Sequence, residues 1–224
     1  MHKLLKTIPV MLLGIAATML TGCSSEMTST GGTAGTGEAA QDATAGTEET
    51  AQDATGQEKE ASAVYADIDI KDYGKITLEL DPSAAPETVE NFVALAQSGF
   101  YNGLTFHRIM EGFMMQGGDP LGNGTGGSDK QIRGEFKANG VDNPLSHTRG
   151  AISMARATDM NSASSQFFIV HKDALFLDGQ YAAFGYVMEG MDVVDQVCAD
   201  ANPVDGNGTI PAENQPVITS ITIR

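Results

Sequence analysis

One arginine carries the strongest chemical signal in this chain. Arg108 lies within FHRIMEGFMMQGGD at 106–119, beside Phe106, Phe113, Met114 and Met115, with Gln116 toward the far end. A second segment, SSQFFIV at 164–170, adds Gln166, Phe167 and Phe168. The inventory is one cation, two amides and an apolar surface, with no evident nucleophile or metal set. Such a group can hold an apolar moiety and polarise an amide, but it is poorly equipped to break a covalent bond. Taken singly, Arg108 also reads as a surface charge, and Phe113, Met114 and Phe168 also read as ordinary core.

Other chemistries fit less well. LGNGTGG at 121–127 has the glycines of a phosphate loop but lacks the Gly-Lys-Ser/Thr ending and a following helix, so it reads as tight turns. His107, His147 and His171 have no metal-ligand spacing with cysteines or carboxylates, so no metal is expected, and His107 reads as support for its strand. Asp195 with Ser164 or Ser165 would need the G-x-S-x-G elbow of a hydrolase, which is missing.

The elements that must position these residues are mostly short strands. VYADIDI at 64–70 and KITLEL at 75–80 alternate apolar and polar residues about a Tyr73-Gly74 turn, which predicts a hairpin. Asp81-Pro82 ends it. Val89, Phe92, Val93 and Ala96 recur at helical spacing over 84–98, with Gly99 as a stop. Short strands are expected around Thr105, Phe113, Ile152, Phe168 and Phe184, then a helix over 191–198 and a last strand, VITSITI, at 217–223. This pattern predicts a mainly β fold, a closed antiparallel barrel with helical caps.

The chain has 224 residues and a formal net charge of −16, which argues against nucleic acid as a partner. Lys3 and Lys6 precede an apolar run over 8–20 that ends in Leu20-Thr21-Gly22-Cys23. That run is short for a spanning helix, and the ending resembles the lipobox of bacterial lipoproteins. The resemblance implies a cleaved signal peptide over 1–22, a lipid on Cys23, and attachment to the bilayer on the extracytoplasmic face of a bacterial cell envelope. Residues 23–62 are rich in Gly, Thr, Ala and acidic side chains, with AQDAT at 40–44 and again at 51–55, and are expected to form a disordered tether. The folded domain is expected over 63–224. Cys198 has no partner left for a disulfide and reads as an apolar core residue on a helix.

From Val64 to the end the chain resembles the cyclophilin peptidyl-prolyl cis-trans isomerases. The segments that carry the likeness are FHRIMEGFMMQGGD, NGTGG at 123–127, GAISMA at 150–155, SSQFF at 164–168, FLDG at 176–179, FGYVMEGMDVVD at 184–195 and ITSITI at 218–223, in the family's order and spacing. The resemblance implies an eight-stranded barrel closed by two helices, with the active groove on its outer face. It implies that Arg108 is the catalytic arginine and that Gln116 holds it and reaches the substrate backbone. Phe113, Met114, Phe168 and Leu177 would line the proline slot, with Ala155, Arg156, Gln166, Phe176 and Tyr181 completing the groove. Phe176 replaces the tryptophan of eukaryotic members, which removes an N–H donor and weighs against tight cyclosporin binding. Tyr181 replaces a histidine, and Arg156 replaces an asparagine and adds a cation at the groove edge. No cofactor is implied. The expected partners are proline-containing segments of exported proteins, met by a monomer. A module that binds such segments without catalysis is the alternative, and the intact set of Arg108, Gln116 and Phe113 weighs against it.

Overall fold

A computed structural model describes residues 64–224. The signal peptide, Cys23 and the tether lie outside the described residues. The chain opens with a hairpin of β1 (Val64–Ile70) and β2 (Gly74–Leu80). Its turn places Asp72 at φ 66° and Gly74 at φ 121°, so the second of these positions favours a residue without a Cβ. Helix α1 (Pro86–Gln97) follows, then β3 (Thr105–Met110), β4 (Met114–Asp119), β5 (Ala151–Met154), β6 (Phe167–Val170), β7 (Ala183–Glu189), α2 (Met191–Asp200) and β8 (Ile218–Ile223). The predicted hairpin, both helices and the last strand are all present, each with ends shifted by a few residues at most.

Helix α1 starts on Pro86, whose missing N–H is no loss in a first turn. The helix has no side-chain cap of its own. Glu135, from the long connection between β4 and β5, supplies one: its carboxylate accepts the backbone N–H of Glu87 at 3.1 Å and of Thr88 at 2.8 Å, and the Thr88 hydroxyl at 2.7 Å. A buried carboxylate is tolerated there because it satisfies orphan donors at the positive end of a helix.

The strands form one eight-stranded sheet in the order β3-β4-β6-β5-β7-β2-β1-β8, antiparallel throughout. Its inner face holds the main core. Phe92 of α1 packs against Tyr101, Phe167 and Phe184, with ring centroids 5.3, 5.5 and 5.3 Å away. Val194, Val197 and Cys198 of α2 bury into the same cluster. Burial pushes the Cys198 thiol up to about 12, so it is an inert apolar filler.

The expected closed barrel needs correction. The edge strands β3 and β8 touch only at one end, through the isolated bridge of Thr105 to Val217 and backbone hydrogen bonds between 103–106 and 216–218, and otherwise the sheet is curled but open. The reason lies in the loop after α2. It occupies the free edge of β3, where Ile109 N–H donates to Gly208 O at 2.8 Å and Ile210 N–H donates to His107 O at 3.0 Å. Those groups are therefore taken before β8 could pair with them.

A second apolar cluster lies on the outer face. It contains Met114, Ala151, Phe168, Val170, Ala174 and Leu177. Strands alternate faces, so in β6 Phe167 and Ile169 point into the main core while Phe168 and Val170 point outward. Burial on both sides explains why FFIV is apolar without a break.

Candidate active site

The site is a row of side chains across four adjacent strands. Arg108 of β3 pairs with Gln116 of β4, Gln116 with Phe168 of β6, and Phe168 with Ser153 of β5. Residues paired directly across antiparallel strands share a face with Cβ atoms roughly 5 Å apart. A register shift between Phe106 and Arg108 adjusts the first of these pairings.

Arg108 is fixed from several sides. Its Nε–H donates to Asn207 O at 2.7 Å and its Nη1–H to Gln116 Oε1 at 3.2 Å. The sulfurs of Met114 and Met110 lie 3.8 Å from Nη1 and 3.3 Å from Nη2. Burial pulls the guanidinium below its ordinary value, and the nearby Tyr181 and Asp205 offset part of that. It stays charged at neutral pH. Thioether sulfur is a weak acceptor, so Nη2 keeps donor capacity for a ligand.

The two glutamines extend this anchor. Gln116 Nε2 donates to Gln166 Oε1 at 2.9 Å, and Gln166 Nε2 donates to Gly126 O at 2.7 Å and Gly124 O at 3.2 Å. Arginine only donates and a carbonyl only accepts, so each amide has one usable orientation. The glycine loop itself hangs on Asp119, which accepts N–H from Leu121, Asn123 and Gly124 at 2.8, 3.1 and 2.6 Å. Burial pushes the Asp119 carboxyl up, but these backbone donors prevail and hold it below the usual range.

Beside Arg108 is an apolar slot of about 160 Å³, lined by Phe113, Met114, Phe168, Leu177 and Tyr181, with Gln116, Ala155 and Arg156 at its rim. The Phe168 ring meets Tyr181 edge-on at 6.0 Å. A second cavity of about 330 Å³ adjoins it, shares Gln116, Ala155 and Arg156, and is lined by Gln166 and the glycine loop. The structure thus brings nearly all the expected groove residues to the slot, with Gln166 next door. Phe176 stands apart. It is 67% exposed, and its ring lies 5.6 Å from Phe113 as an outer lip.

Arg156 is no free cation. Its guanidinium lies 4.7 Å from the Tyr181 ring centroid and 5.1 Å from that of Phe136. Its N–H groups donate to Gln180 O at 3.1 and 3.0 Å, to Ala157 O at 2.9 Å and to Thr158 O at 3.3 Å. It is a clamp that holds Tyr181 against the slot.

Two supports escaped the sequence reading. Asn207 acts through its carbonyl, which any residue carries, so only the turn-forming Asp205-Gly206-Asn207-Gly208 hints at it. His147 lies fully buried beneath the slot, stacked on Phe168 at 6.0 Å. Burial pulls its pKa below the ordinary imidazole value, against the opposing pull of Asp178. The ring is therefore neutral. Its 2.8 Å contact with Asp178 is an Nδ1–H donated to a carboxylate, and Nε2 accepts the Ser153 hydroxyl at 3.0 Å. Ser153, His147 and Asp178 have the order of a hydrolytic triad, but Ser153 is fully buried and lines neither of these two cavities. They are scaffold. His107 is also buried, and neither ring nitrogen has a hydrogen-bond partner among the described residues.

The model of the family described as cyclophilin type peptidyl-prolyl cis-trans isomerase/CLD matches residues 65–223. The chain belongs to this family. Among relatives of this cyclophilin is a peptidyl-prolyl cis-trans isomerase of Helicobacter pylori, 45% identical over 143 residues, which cover 63% of this chain and 85% of that protein. Peptidyl-prolyl cis-trans isomerase B of Bacillus subtilis is 48% identical over 123 residues, 55% of this chain and 82% of its own. A cyclophilin from Cryptosporidium parvum, solved in the presence of the dipeptide Ala-Pro, superposes with a TM-score of 0.63 at 31% identity, covering 71% of this chain and 98% of that one.

Proposed function

We propose that this cyclophilin isomerises X–Pro bonds by the donor of Arg108 acting on a proline ring held in the adjacent slot. The family and its named relatives support peptidyl-prolyl isomerase activity; the roles of individual residues are the proposal. An X–Pro bond rotates over a barrier of about 18–20 kcal/mol set by amide resonance. Twisting localises a lone pair on the prolyl nitrogen. A donor directed there stabilises the twisted state more than the planar one, which is what catalysis requires. Phe113, Met114, Phe168 and Leu177 grip the ring, and Gln116 fixes Arg108 and meets the substrate backbone. Ala155, the Arg156 main chain and Gln166 receive the flanking residues. Phe176 and Tyr181 wall the ends.

The observation that carries this reading is the Arg108 guanidinium, anchored through Nε and Nη1 at the mouth of a slot lined by Phe113, Met114, Phe168 and Leu177. Arg108→Ala is expected to lower turnover on the order of 10²–10³-fold, by analogy with removal of one oxyanion donor. Exchange spectroscopy on an Ala-Pro peptide checks this, and near-normal exchange would remove Arg108 from its role. Binding without acceleration in the unmodified chain would favour a non-catalytic module.

The setting is proposed from the sequence. Residues 1–22 would be a signal peptide and Cys23 the acylated anchor, which puts a monomeric enzyme on the extracytoplasmic face of a bacterial envelope. Its substrates there are exported chains, whose prolyl bonds take tens of seconds to relax uncatalysed. Release from membranes by detergent but not by salt, abolished by Cys23→Ser, is the expected result.

A further inference from the structure

The hairpin turn between β3 and β4 carries Phe113, one wall of the slot, and it is tied down by a residue from outside the groove. His171, just past β6, accepts the Gly112 N–H on its ring Nδ1 at 2.8 Å. Its own backbone N–H donates to Phe113 O at 2.9 Å. We infer that His171 is a positioning residue, which links helix α2 to the proline slot by holding the Gly112-Phe113 turn in place.

The chemistry fixes the state of the ring. A backbone N–H can only donate, so Nδ1 must be the bare nitrogen and Nε2 must carry the hydrogen. Nε2 faces Asp195 of α2, whose Oδ1 is 3.1 Å away. The same Oδ1 is 2.8 Å from Arg149 Nη1, yet neither contact has hydrogen-bond alignment, so Asp195 orients the ring by charge. Asp195 is itself held by Arg149, whose Nη2 donates to Oδ2 at 2.8 Å and whose Nη1 donates to His171 O at 2.7 Å. Gly112, at φ 78°, has no side chain with which to hold the turn. Removing the acceptor leaves the Gly112 N–H without it, and the turn keeps its Phe113 N–H to Met110 O bond, its backbone contacts to His171 and Lys172, and the Phe113–Phe176 ring contact.

This rests on the slot being the proline site, so the test separates the two readings. Peptide dissociation constants and catalysed exchange are measured on the full chain. His171→Leu keeps bulk but has no acceptor, and is expected to weaken Ala-Pro peptide binding by about 3- to 10-fold, with turnover at saturation changed less than about twofold. His171→Asn places Oδ1 near the position of Nδ1 and is expected to restore affinity. A purely structural role would instead show as a loss of melting temperature with affinity intact. Unchanged affinity in His171→Leu, or no rescue by Asn, overturns the inference. Should His171→Leu fail to fold, a through-hydrogen-bond ¹⁵N–¹⁵N coupling between Gly112 and His171 Nδ1 in the unmodified chain supports it, and the missing coupling overturns it. Failure of the unmodified chain to bind the peptide in the slot would instead defeat the reading of the site.

Discussion

Arginine does two jobs in this groove, and the surroundings of each guanidinium tell them apart. Arg108 keeps a donor facing weak thioether acceptors, whereas Arg156 has its donors committed to Gln180, Ala157 and Thr158 and its plane laid between two rings. Arg156→Ala is therefore expected to destabilise the fold by about 1–2 kcal/mol, from a lost ring contact and lost carbonyl pairing. It should also weaken peptide binding, because Tyr181 loses its clamp. Arg156→Lys should rescue little, since an ammonium cannot spread across three carbonyls or stack as a plane. Urea denaturation and peptide titration of the two variants check both expectations. The sequence showed Arg156 as a departure from its relatives and as an added charge. It could not show that the charge is spent inside the protein, because the partners come from the main chain and from Phe136, twenty residues away in a loop.

At the scale of elements, reach across the chain decides what is held. Helix α1 depends on Glu135 for its first turn. Glu135→Ala is expected to cost about 1–3 kcal/mol by leaving helix donors unpaired, and Glu135→Gln less, since an amide oxygen still accepts one of them. Chemical denaturation measures the difference, and faster amide exchange at Glu87 and Thr88 should accompany it. The strands and both helices were legible because alternation and helical spacing are local properties. The slot was legible through the likeness of FHRIMEGFMMQGGD and SSQFF to known relatives. What stayed hidden was contributed at a distance by unremarkable groups: the Asn207 carbonyl, the buried His147 and the Glu135 cap. Closure of the barrel was misjudged for the same reason, since nothing local in 205–210 announces that it pairs with β3.

For the molecule as a whole, two buried neutral histidines set the response to acid. Burial lowers the pKa of both His107 and His147. The unfolded chain then binds protons more readily than the folded one, so their contribution is complete above the ordinary imidazole range, about 6.5, and is lost as pH falls below it. The slope is at most about 1.4 kcal/mol per pH unit for each ring. Urea midpoints are expected to fall as pH drops below about 6.5, while ring ¹H–¹³C shifts of both histidines in the folded state report titration displaced below the ordinary imidazole value. Titration of either ring in the native protein near its ordinary value would contradict this. The row of Arg108, Gln116, Phe168 and Ser153 has a different kind of consequence. Register fixes it, so a single-residue deletion in the β3–β4 turn would throw one side of the row onto the opposite face. The connection from β4 to β5 contributes none of the four, yet it supplies the glycine loop that walls the neighbouring cavity. Changes there that spare the Gly124 and Gly126 carbonyls can reshape the neighbouring cavity while the Arg108–Gln116–Gln166 chain keeps its anchor, whereas loss of either carbonyl would reach the arginine through two amides.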